Sequence, residues 1–133
     1  MKKLLSIVLT VIIAISISCS KKSPTAAQIV YALSDIVGTW AGTAENSSNA
    51  LNLTLSVDNT GKVSGSGVSS TWSVDESGKV TGGGSFSFVS GSSYTVAAAG
   101  WHMVLNQGKT TLTGKFNVAY PSLHDMDVNL VKE

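Results

Sequence analysis

The sequence predicts an all-β domain: about eight antiparallel strands in a meander, closed into an up-and-down β-barrel and preceded by one short helix. Three observations carry that expectation. From Val37 onward apolar and polar residues alternate, most cleanly where Leu51, Leu53, Leu55 and Val57 interleave with Asn52, Thr54 and Ser56, the period of a half-buried strand. Turn-forming clusters recur along the chain at Asp58-Asn59-Thr60-Gly61, Asp75-Glu76-Ser77-Gly78, Gly91-Ser92-Ser93 and Gln107-Gly108, residue types that tight turns select. Gly65, Gly67, Gly82, Gly83 and Gly84 fall inside strand-like runs, where glycine marks bulges and sharp coiling. A long meander exposes two edges unless it closes on itself. A two-sheet sandwich is the alternative.

The chain opens with Lys2 and Lys3, an apolar run from Leu4 to Ile17, and small Ser16 and Ser18 before the lone cysteine, Cys19. Charge, then grease, then small residues is the order of an export leader. The apolar run is shorter than the ~20 residues a membrane-spanning helix needs. Residues 1–18 therefore read as a signal peptide. The stretch Ile15-Ser16-Ile17-Ser18-Cys19 resembles the lipobox of bacterial lipoproteins. That resemblance implies that Cys19 is acylated, that the leader is cut before it, and that the partner of the mature chain is a membrane reached through this anchor. Ser16 stands where leucine is usual in that motif, and Ser16-Ile17-Ser18 also suits the ordinary signal peptidase. Either enzyme cuts the same bond, so Cys19 is the first mature residue in both cases. Several acyl chains give stable anchoring where one holds only marginally. Ser20, in place of the aspartate that retains lipoproteins on the inner membrane of enteric bacteria, points to the outer membrane.

Residues 19–24 form a polar tether. Ser23-Pro24 reads as a helix cap and first helical position, and Ala26, Ile29, Val30, Leu33 and Ile36 have helical spacing, so a short helix is expected over 25–36. The barrel domain follows over 37–133, with strands expected at about 37–45, 50–57, 62–69, 71–75, 79–89, 93–105, 109–118 and 125–132. The segments VDNTGKVSGSG (57–67) and VDESGKVTGGG (74–84) echo one another. Two copies read as two like hairpins rather than as a solenoid repeat.

Gly38-Thr39-Trp40 opens the first strand after the helical lead-in. It resembles the GxW signature of the calycin superfamily, the lipocalins, fatty-acid-binding proteins and avidins, over about residues 36–132. The resemblance implies an up-and-down barrel whose closed end is sealed by Trp40. Lipocalins typically carry an arginine near the last strand that packs on this tryptophan, and here all nine basic residues are lysine. Gly42 and Asn46 occupy the positions of the avidin ligand residues, so biotin binding is not implied.

Removing Lys2 and Lys3 leaves seven lysines against eight acids, a net charge of about −1 with no arginine, which is no footprint for nucleic acid. With Cys19 taken by the leader chemistry, no disulfide, cysteine nucleophile or cysteine metal site is available. His102 and the cluster His124, Asp125, Met126, Asp127 are the groups with metal-binding chemistry. In a strand Asp125 and Asp127 share one face while His124 points to the other, so no metal site and no cofactor is expected. The serines lie in low-complexity surroundings without a nucleophile elbow or a base to orient them, and no catalytic residue is expected. Trp40, Trp72, Phe86, Phe88, Trp101 and Phe116, with Tyr94, are the candidates to line an apolar ligand pocket; filling the core is their bland role. The expected function is that of a non-enzymatic, lipid-anchored cell-envelope protein acting as a binding or interaction module. Alternatives are a lipocalin-like carrier of a small apolar ligand and an inhibitor of a secreted hydrolase that blocks with an exposed loop or with the 20–36 arm.

Overall fold

The computed structural model describes residues 29–133. The leader, Cys19, the tether and the first residues of the expected helix lie outside the described residues. Eight antiparallel strands follow in chain order: β1 (Gly38–Glu45), β2 (Ala50–Val57), β3 (Lys62–Gly65), β4 (Val68–Val74), β5 (Lys79–Ser90), β6 (Ser93–Leu105), β7 (Thr111–Val118) and β8 (Met126–Lys132). Each strand pairs with its neighbours in sequence and β8 returns to β1, closing the barrel. The up-and-down barrel is the expected fold, and the sandwich is not formed.

Side chains alternate as the sequence does. Leu53, Leu55 and Val57 of β2, Met126, Val128 and Leu130 of β8, and Trp101, Met103 and Leu105 of β6 point inward and are buried, while their neighbours face water. Burial of these rows is the main favourable term of folding.

Three local expectations are corrected. Between Ile29 and Val37 only one turn of 3-10 helix forms, Leu33–Asp35, and Ala32 before it is extended. Of the residues with helical spacing, Ile36 is buried beneath the barrel and Leu33 packs on its floor, while Ile29 and Val30 stay exposed. Leu33 reaches Gly61, Tyr31 lies on Gly78, and the Tyr31 N–H is directed to the Glu76 carbonyl. Contacts to turns that are already formed outcompete a short helix, which is marginal by itself. The second correction concerns the break expected at residue 70, which falls at Ser66-Gly67. Both residues have positive φ, 48° and 78°, as a two-residue hairpin turn matched to strand twist requires. Asp125 likewise sits before β8 rather than in it, with φ 53°, so it does not share a strand face with Asp127.

The echo between residues 57–67 and 74–84 is structural. Asp58 Oδ1 accepts from the Thr60 N–H, the Thr60 hydroxyl and the Lys62 N–H. Asp75 Oδ1 accepts from the Ser77 N–H, the Ser77 hydroxyl and the Lys79 N–H. A third turn at the same end uses Asn106 Oδ1, which accepts from the N–H groups of Thr110 and Thr111.

Candidate functional site

The strand directions give the barrel two unlike ends. The loops 58–61, 75–78 and 106–110 and the incoming segment 29–37 share one end; the loops 46–49, 66–67, 91–92 and 119–125 share the other. The first end is closed. Trp40 and Ile36 are fully buried there, and the Trp40 indole N–H donates to the Ile36 carbonyl at 2.8 Å. Lys132 of β8 places its ammonium 5.6 Å from the Trp40 ring centroid and donates to the Asp35 carbonyl at 2.9 Å. A cation over an aromatic face is an attractive arrangement. Looking for arginine in the sequence missed this lysine; a lysine that pairs in register with Trp40 was the available signal. Lys109 completes the lock, with its Nζ 2.9 Å from an Asp35 carboxylate oxygen and 5.5 Å from the Tyr31 ring centroid. The Lys109 hydrogen bond, helped by the Ala32 N–H, holds the Asp35 carboxyl below the usual carboxylate range.

The interior is occupied by rings. Trp72, Gly82, Trp101, Phe116 and Met126 face one another in one row across β4 to β8. Trp101 stacks on Phe116 at 3.9 Å between centroids, Trp72 meets Trp101 edge-on at 5.1 Å, and Phe86 meets Phe116 edge-on at 5.5 Å. The two tryptophans touch across Gly82, which has no side chain to separate them. Trp40, Trp72, Phe86, Trp101 and Phe116, five of the six ligand candidates, are thus members of one hydrophobic core. The indole N–H groups of Trp72 and Trp101 are buried without an acceptor among the described residues.

Phe88, the sixth candidate, belongs to the mouth. It is half-buried, stacks on Phe86 and meets Tyr120 edge-on at 5.0 Å. Phe88 and Tyr120 line a cleft of about 300 Å³ together with Leu51, Leu123, Asn49, Ser90 and Ser122. Ser90 and Tyr120 hydroxyls are 2.8 Å apart across it, and Asn49 donates to the Ser122 carbonyl. Among the described residues no charged side chain lines the cleft. Sequence reasoning missed Asn49, Leu51, Tyr120, Ser122 and Leu123 because they come from the 46–49 loop, the start of β2 and the 119–125 loop, which only closure brings together.

Beside the cleft rises an arm. β5 pairs with β4 only as far as Phe86, and β6 pairs with β7 only from Ala99. Residues 87–98 therefore stand beyond the barrel wall as a two-stranded ribbon. Tyr94, a ligand candidate by sequence, is 72% exposed on its outer face beside Val89, also 72% exposed.

The polar clusters stay apart. Asp127 pairs with Lys115, and this hydrogen bond raises the lysine above its ordinary range. His124 lies 3.2 Å from Asp125, while His102 sits opposite Lys115. Among the described residues no group of three metal-ligating side chains forms. Comparison with protein-family models, with curated proteins and with solved structures returns no match.

Proposed function

We propose that this chain is a non-enzymatic binding module carried on the bacterial cell envelope by a lipid on Cys19, and that it meets its partner at the barrel mouth. The leader and Cys19 motivate the anchor, and the serine after the cysteine favours the outer membrane. The observation that carries the reading is the inequality of the two ends. The end that receives the incoming chain is locked by Trp40, Lys132 and Lys109, while the opposite end offers the uncharged cleft and the apolar arm. Nine residues lie between Cys19 and Ile29, a reach of up to ~35 Å over the ten Cα–Cα steps, so an anchored barrel has room to turn its mouth away from the membrane.

Metabolic labelling with a clickable fatty acid tests the anchor. The chain is expected to take label and the Cys19→Ala chain to lose it; equal labelling of both refutes the lipid. One observation favours a second reading, a carrier of a small neutral ligand: the cleft sets the Phe88 and Tyr120 rings beside the hydroxyls of Ser90 and Tyr120 and the Asn49 amide, so that apolar faces and uncharged polar groups converge on one space. The filled interior weighs against a ligand held deeper. Native mass spectrometry of protein purified from its own envelope would reveal such a ligand, and its loss in Phe88→Ala would assign it to the cleft.

A further inference from the structure

We propose that the free edge of β6 pairs with the same edge of a second copy, joining two barrels through their arms. The inference rests on the strand edge and stands whether or not Cys19 carries a lipid.

In an antiparallel ladder the N–H and C=O of alternate residues point to the same side. The Ala98 carbonyl accepts from the Ala119 N–H, so Ala98 faces the β7 side, and Val96 and Tyr94 face it too. β7 ends at Val118, and neither Tyr94 nor Val96 has a backbone partner on that side among the described residues. Four backbone groups are left open: the N–H and C=O of Tyr94 and of Val96. Strand edges of this kind are usually blunted by lysine, proline or a bulge. Here the register between β5 and β6 runs unbroken, and the 22 residues from Val80 to Trp101 include no charge and no proline.

The edge is complementary to itself. A two-fold axis at Thr95 sets Tyr94 opposite the Val96 of the second copy, and Val96 opposite its Tyr94. All four open groups are then satisfied in four hydrogen bonds. Both Tyr–Val pairs lie on the outer face, where Tyr94 is 72% and Val96 58% exposed, and aromatic–β-branched pairs of this type are favourable across strands. With no charge on the arm, two copies approach without like-charge repulsion. Antiparallel pairing also sends the two barrels to opposite ends of the seam, clear of one another. A symmetric contact of this kind closes as a dimer. Five residues make a seam of ~17 Å and about one sheet thickness, burying on the order of 350 Å² in total. A stable complex buries at least about 1,200 Å², so the dimer is reversible and has to be trapped.

The register supplies the trap. Thr95 faces Thr95 of the second copy as a non-hydrogen-bonded pair, with Cα atoms about 4.5 Å apart, inside the ~4.4–6.8 Å window of a disulfide. The full chain carrying Thr95→Cys, oxidised in cells, is expected to yield a reducible band at twice the monomer mass. The chain with its native Cys19 alone, and the chain with Ser73→Cys on the outer face of β4, are expected not to. Adding Val96→Pro removes an N–H that bonds nothing within the monomer and is tolerated at an edge. It is expected to cut the trapped dimer about tenfold or more, the loss that ~1.4 kcal/mol produces, while far-ultraviolet circular dichroism stays that of the barrel. If Thr95→Cys fails to accumulate, Ser93→Cys co-expressed with Ala97→Cys reports the same register. Cross-linking no stronger than Ser73→Cys, cross-linking indifferent to Val96→Pro, or a cross-link to a different protein overturns the proposal.

Discussion

Gly82 offers the sharpest test of how the barrel interior is packed. It sits between Trp72 and Trp101 in the row across β4, β5 and β6, and a Cβ placed there would lie 2.5 Å from Trp72 Cδ1 and 2.5 Å from the Thr71 carbonyl oxygen. Trp72 is 1% exposed, so its ring has nowhere to retreat. Overpacking a core position by one methyl costs ~1–3 kcal/mol. Disturbing the edge-on tryptophan pair removes a further ~0.5–1.5 kcal/mol. Replacing glycine in a strand returns ~0.5–1 kcal/mol of backbone entropy. Gly82→Ala is therefore expected to destabilise by about 2 kcal/mol, a fall in Tm on the order of 10 °C for a domain of this size.

The adjacent glycine is a built-in control. At Gly83 an added Cβ would meet nothing nearer than the Ala99 carbonyl oxygen at 4.0 Å, so Gly83→Ala keeps the entropic gain without the clash. Urea unfolding of both variants, followed by tryptophan fluorescence, gives the comparison directly. Near-ultraviolet circular dichroism adds an independent signal, because the Trp72–Trp101 contact should change only in Gly82→Ala. Two variants within about 0.5 kcal/mol of one another, the scatter of ordinary surface changes, would refute a tryptophan contact that depends on an absent side chain.

Two further predictions concern the tryptophans and the turns. Trp40→Phe is expected to cost ~1–3 kcal/mol more than Trp72→Phe in urea unfolding, because it strands the Ile36 carbonyl that Trp40 bonds, whereas the Trp72 N–H bonds nothing. On acidification, the carboxyls of Asp58 and Asp75 are held below their ordinary pKa of 3.8, first by the hydroxyls of Thr60 and Ser77 and then by backbone N–H groups, and Asp35 is lowered by Lys109. Depressed folded-state values mean stability that is full above the unfolded pKa and lost as pH falls through the folded ones. The urea midpoint should hold level from pH 7 to about 5 and drop below about 4, and Asp58→Asn with Asp75→Asn should flatten that drop.

Much of the barrel was legible because its signals are local. The Asp-x-x-Gly-Lys-Val repeat announces two turns, and each Asp does in space what its type suggests, gathering the N–H groups two and four residues on. A single 3-10 turn stands at Leu33–Asp35 where the spacing suggests a helix, because Leu33 and Ile36, three apart as on a helix face, both turn toward the barrel floor. The Ser66-Gly67 turn was quiet because serine at positive φ has no strong sequence signal. The aromatic residues were visible as a set, but periodicity cannot say whether inward rings leave a void or meet. That depended on Gly82 lying opposite both Trp72 and Trp101, which is a statement about register across three strands.

The arm was illegible for a different reason, and that reason explains why the mouth is where the chain can do something. β5 and β6 hold 12 and 13 residues, against 4 to 8 in the other strands. A closed barrel can pair only the length its neighbours supply, so the surplus must leave the wall. Once outside, its alternation still reads as a strand with one face buried, yet Val89, Tyr94 and Val96 have no neighbour to cover them. The edges that closure leaves lie where a neighbour runs short, at the start of β2, which pairs with β3 only at Ser56 and Val57, and in residues 87–98. The same inequality carries Phe88 to the outer end of the ring stack, where it lines the cleft at the mouth. Interior packing follows from register across β4, β5 and β6, and the exposed edge from the surplus length of β5 and β6. Substitutions in the row of Trp72, Gly82 and Trp101 act on stability, and those in the arm act on association.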